Sequence, residues 1–90
     1  MLHLITYDLN QPVQKYPDLY EKLKGLGKWC HPLNNIWFVI TSQSSKDVRN
    51  TIQTVIDSND ELFVLEIKTP TVAAWVNLTT EDTKWLKEHL

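Results

Sequence analysis

Cysteine is nearly missing from this chain of 90 residues. Cys30 is the single one, so no disulfide can close within the chain, and a reducing compartment is the expected setting. Glycine is almost as scarce, with only Gly25 and Gly27. The loop from Thr41 to Ser45 has none, which makes it a poor cradle for a phosphate. Nine Lys and Arg against eleven Asp and Glu leave a formal net charge of -2. That balance excludes a surface coated in positive charge and confines any nucleic-acid contact to a local patch. No apolar run approaches the roughly eighteen residues that a membrane-spanning helix needs, so no membrane association is expected. The start of the chain shows no basic region followed by a cleavage site, and the cytoplasm is the expected location. Internal repeats and low-complexity segments are absent as well.

What is present is apolar and aromatic. Hydrophobic residues make up 42% of the sequence, and four are Trp. Such a length forms one domain, 1–90, that buries roughly 60–65% of its unfolded surface and gains from a partner chain. Leu2 to Tyr7 reads as a first strand, and Leu9 to Tyr16 as a loop. Pro17 is expected to open a helix carried by Leu19, Tyr20, Leu23 and Leu26 and ended by the two glycines. Lys28 to His31 and Ile36 to Thr41 read as strands around a turn at Pro32 to Asn35. Ser44 is expected to cap a second helix with the stripe Val48, Ile52, Val55 and Ile56. Leu62 to Lys68 reads as a fourth strand, Val72 to Val76 as a short fifth, and Thr80 as the cap of a last helix. This order suits an α+β fold: a ferredoxin-like βαββαβ sandwich with a C-terminal strand and helix.

Two helices cover one face of such a sheet, and the other face should then alternate with polar residues. It does not. Ile36 to Ile40 has no polar position, and Leu62 to Ile67 has only Glu66. In the first strand Leu2 and Leu4 share one face, and His3, Ile5 and Tyr7 the other. The second face therefore needs a cover. The last helix supplies part of it, and a second copy of the chain is the expected remainder. Burying about 600 Å² of apolar surface would contribute about 15 kcal/mol before association costs. Tyr7, Trp37, Val39 and Trp75 are the expected anchors of that homodimer interface.

One acid stands out. Asp8 closes the apolar run Leu4 to Tyr7, where a charge that leaves water must be paired or metal-bound. The bland alternative is a carboxylate capping the following loop. Cys30 and His31 are adjacent on a strand, so they point to opposite faces and make a poor nucleophile–base pair. His3, His31 and His89 show no zinc-like spacing. Lys22, Lys24 and Lys28, with Lys15 near, form the only basic concentration: a solvated helix end, or a patch contacting nucleic-acid phosphates.

Thr6-Tyr7-Asp8-Leu9-Asn10, Leu23 to Trp29 with its two glycines, Asn35 to Val39 and Asn59 to Ile67 together resemble the small CRISPR-associated spacer-acquisition subunit, Cas-two, and its relatives the virulence-associated protein D ribonucleases. The Tyr-Asp-Leu-Asn run, the Trp-Cys-His turn and the late Ala-Trp and Trp-Leu are most similar to small bacterial proteins of the SinR family. The resemblance implies a homodimer packed across its sheets, with Val72 to Val76 extending the partner's sheet. It also implies Asp8 as catalytic acid and metal ligand, with Mg²⁺ shared between two Asp8 carboxylates. The sequence departs from Cas-two where an Arg usually follows the acid: Asn10 to Gln14 stands there. The expected function is a non-catalytic homodimeric scaffold or a module binding nucleic acid or protein. The alternative is an Mg-dependent endonuclease or endoribonuclease with Asp8 at the dimer interface.

Overall fold

The structure is a computed structural model that describes the backbone of the whole chain and the side chains of residues 1–11 and 16–90. The elements run β1 (Leu2–Asp8), α1 (Pro12–Lys24), β2 (Lys28–Leu33), β3 (Ile36–Ile40), α2 (Ser45–Gln53), β4 (Glu61–Ile67) and α3 (Thr80–His89). The strands form one four-stranded sheet in the order β2-β3-β1-β4, and each neighbouring pair is antiparallel. The chain is therefore a small α+β unit.

Register decides which residues make the core. Ile5 of β1 lies between Trp37 of β3 and Val64 of β4, and His3 lies beside Val39. Alternation then puts His3, Ile5, Tyr7, Trp37 and Val39 on one face. Leu19 and Leu23 of α1 and Val48 and Ile52 of α2 close over that face, and all of these side chains are buried. Each large apolar group so buried contributes about 1.5–3 kcal/mol.

The helix ends are set locally. The Asp47 N–H donates to Ser44 Oγ at 3.2 Å, the cap expected for α2. In α3 the cap is Thr79, one residue earlier than expected, and its Oγ1 accepts from the Asp82 N–H at 3.0 Å. α1 departs more from expectation. It opens at Pro12, not Pro17, and carries Pro17 inside. A proline near a helix start forfeits little, because the first-turn N–H groups lack helical partners anyway. The missing bond at Pro17 is offset by Tyr16 stacking on Tyr20 at 5.2 Å, four residues on, and by Leu19 and Leu23 docking into the core.

The expected fifth strand is absent. Residues 71–75 have no regular structure, and Val72 and Val76 stand exposed. Strand-forming residues need a neighbouring edge, and within one chain this segment does not lie along one. Among the described residues no helix is long and apolar enough to cross a membrane.

Candidate functional site on the outer sheet face

The face of the sheet turned away from α1 and α2 is built from the other parity. Cys30, Phe38, Leu4 and Leu65 fall in one row across the four strands, with Ile36, Thr6 and Phe63 in the next. Asp8 and Glu61 stand opposite each other at the end of that face. α3 lies over the β2 side, where Cys30 Sγ donates to Asp82 Oδ1 at 3.4 Å and Leu86 is buried. The β1–β4 side is bare: Phe63 is 60% exposed and Leu65 48%. Phe63 is the flank of an open cavity of about 370 Å³, lined also by Thr6, Tyr7, Asp8, Asn35 and Glu61.

Asp8 is thus exposed, at the mouth of this cavity. It sits where the sequence placed it, but in water rather than in an apolar pocket. Glu61 is the residue that sequence reading missed. Its only signal would have been the β1–β4 register, because like charges directly opposite on paired strands repel and are rarely left so without a reason. Among the described residues no group of three or more His, Cys, Asp or Glu side chains is placed to hold a metal ion.

The loops behind Asp8 are stapled. Asp60 Oδ1 accepts from the Asn10 N–H at 2.8 Å, Asp60 Oδ2 accepts from the Asp57 N–H at 2.7 Å, and the Asn10 amide donates to the Asn59 carbonyl at 2.9 Å. One carboxylate therefore joins the turn after β1 to the turn before β4. Asn10, within the stretch read from sequence as a loop, is half of that joint. Asp60→Ala is expected to destabilise the chain by about 2 kcal/mol, since bonds to a charged group are the stronger ones. Urea unfolding measures it, and an unchanged midpoint would show that water replaces these bonds without loss.

The Tyr7 side chain is buried rather than displayed on the outer face. Its hydroxyl donates to the Asn34 carbonyl at 3.1 Å and accepts from Trp37 Nε1–H at 3.1 Å. Burial pushes the phenol well above its ordinary pKa, so it keeps its proton and is no base. The same carbonyl lies 3.0 Å from His31 Nε2. A carbonyl only accepts, so that nitrogen carries the hydrogen. The His31 ring stacks on Trp37 at 4.0 Å. Tyr7, Trp37 and Val39, expected at a dimer interface, lie in the chain's own core, with Trp37 and Val39 at 0% exposure. The reason is parity: β3 has no polar position to mark its faces, and pairing with Ile5 turns Trp37 inward. Trp75 is half-buried and donates from Nε1 to Thr83 Oγ1 at 3.1 Å.

Cys30 and His31 face opposite sides, one under α3 and one on Trp37. Burial first, then the hydrogen bond to Asp82 and its charge, push the Cys30 thiol up to about 12. His3 is buried, with Nε2 2.8 Å from the Gln43 carbonyl and Nδ1 3.2 Å from Ser45 Oγ, a structural pairing that holds the loop before α2. Lys22, Lys24 and Lys28 are exposed, and the Lys24 ammonium lies 5.1 Å over the Trp29 ring. The Lys15 side chain is outside the described residues. No protein-family model matches the chain.

Proposed function

We propose that the chain is a non-catalytic module that works as a homodimer, with a ferredoxin-like arrangement of its elements and its bare outer face as the docking surface. The observation that carries this reading is the exposure of Phe63 and Leu65 in the middle of an otherwise apolar strand surface. Exposed apolar patches of this kind, rimmed by polar groups such as Asp8, Glu61 and Asn35, mark interaction sites. β4 is also an edge strand without a bulge against β1, and it offers its outer backbone groups to another strand. The Val72 to Val76 segment of a second copy, exposed at Val72 and Val76, has the composition to meet it. The acidic rim disfavours phosphate, so a protein partner suits this face better than a nucleic acid. Any nucleic-acid contact falls instead to Lys22, Lys24 and Lys28 on the opposite end of β2 and α1.

One observation favours a second reading. Asp8 and Glu61, with Asn35 and Thr6 lining the same cavity, form an all-oxygen set that suits a hard cation held by two carboxylates and water. Mg²⁺ bound there would supply Lewis-acid activation of a water for phosphodiester cleavage. Asp8→Ala and wild-type protein incubated with labelled RNA and duplex DNA, in Mg²⁺, Mn²⁺ or chelator, separate the two. Indistinguishable traces from both proteins are expected. Metal-dependent cleavage by wild type that drops about a hundredfold in Asp8→Ala would replace the first reading with the second.

A further inference from the structure

The C-terminal segment is attached to the sheet far less firmly than to itself. The Thr71 N–H donates to the Leu90 carbonyl at 2.7 Å, Trp75 donates to Thr83, and Thr79 caps α3. Among the described residues the hydrogen bonds of 71–90 therefore close within the segment, apart from Thr71 Oγ1 to the Lys68 carbonyl at its root and one hydrogen bond to the sheet, Cys30 Sγ to Asp82. A thiol is a weak donor. The main core draws no residue from α3, whose one fully sequestered side chain is Leu86. Yet α3 covers Cys30, which shares its row with Phe38, Leu4 and the exposed Leu65.

We propose that residues 69–90 are a hinged flap that lifts off the sheet as a unit while the rest of the domain stays folded, and that it sets how much of the outer face a second copy can reach. With the flap down, only the β1–β4 half is bare. With it up, the apolar surface runs across all four strands. Few buried contacts and one weak polar bond put this segment at the low-stability end of the structure, where cooperative local opening occurs. Its ten-residue helix is too short to gain much from helicity alone, so docking through Leu86 decides its state. The functional half of the inference rests on the docking role given above to the outer face; the opening itself does not.

Cys30 reports the opening, because it is the sole thiol and is buried beneath α3. Reaction with a disulfide reagent at pH 8 is followed at increasing urea, beside hydrogen exchange of the Ile5 and Val39 amides in the core. Labelling at zero urea is expected to run at least about a hundredfold faster than core exchange allows, with a much weaker urea dependence. Leu86→Ala is expected to speed labelling about thirtyfold and leave core exchange unchanged. Labelling that tracks core exchange in rate and urea slope, or a Leu86→Ala chain that loses its core protection as well, would show that α3 is part of the main cooperative unit and overturn the flap. So would complete labelling on mixing, which would mean α3 never covers the thiol. Sedimentation of the same samples reads the dimer separately, so loss of one claim leaves the other measurable.

Discussion

Gly27→Ala is expected to remove a large part of the chain's stability, and Gly25→Ala almost none. A Cβ on Gly27 would stand 2.0 Å from the Ile40 carbonyl oxygen and 3.2 Å from its carbon. That oxygen is backbone, so no rotamer change moves it aside. Lys28, the next residue, is paired with Ile40, and the new methyl would pry β2 away from the end of β3. Gly27 is exposed, but the clash is with backbone held in the β2–β3 ladder, which must shift to admit the methyl. The loss should reach at least about 4 kcal/mol, the range that marks a named structural clash, against a total of about 5–15 kcal/mol for a domain. A Cβ on Gly25 meets nothing closer than 3.4 Å, and its backbone sits at φ −75°, open to any residue. Alanine there should be neutral or stabilise by up to about 1 kcal/mol, because the unfolded chain loses freedom. Urea midpoints for the two variants test both signs at once. A Gly27→Ala protein with the wild-type midpoint would mean that β2 can shift freely against β3.

Trp37→Ala is expected to cost about 4 kcal/mol, from the volume deleted and the cavity left behind. More than volume is lost. Trp37 donates to Tyr7, stacks with His31, and meets Tyr20 at 5.2 Å and Trp29 at 5.3 Å. It is the ring on which α1, β1 and β2 converge. Removing it leaves the Tyr7 oxygen short of a donor and loosens the turn whose Asn34 carbonyl Tyr7 and His31 both hold. Phe at this position should recover much of the packing but not the bond to Tyr7. Near-ultraviolet circular dichroism with urea unfolding measures the change, and a loss under about 1 kcal/mol would show that the cluster repacks around the gap.

Much of this architecture is legible in the residues themselves. The runs from Leu2, Ile36 and Leu62 are apolar and branched, and they lie in strands within one residue of the expected ends. Ser44 capped α2 as its side chain predicts, because a cap is a local bond between neighbours in sequence. The start of α1 was not legible: two prolines, Pro12 and Pro17, are each suited to a first turn, and a helix from either one contains Leu19 and Leu23, so the apolar stripe does not choose between them. Nor was the inward turn of Trp37 legible, since Ile36 to Ile40 carries no polar mark and its parity comes from long-range pairing with β1. Asp8 was marked by its place at the end of an apolar strand. Glu61 became visible as its neighbour only through the β1–β4 register, a contact across more than fifty residues of chain. Val72 to Val76 has strand composition, but composition cannot supply the edge that a strand must pair with.

The bare outer face is tested most directly by sedimentation equilibrium of the wild-type chain beside a Phe63→Lys, Leu65→Lys double variant. Both side chains are largely exposed in the single chain, so the two lysines should leave its fold intact. Wild type is predicted to sediment at twice its 10.5 kDa mass, and the variant at 10.5 kDa with an unchanged circular dichroism spectrum. A wild-type chain that stays at 10.5 kDa at the highest concentration that remains in solution would contradict the claim that a second copy dries this face.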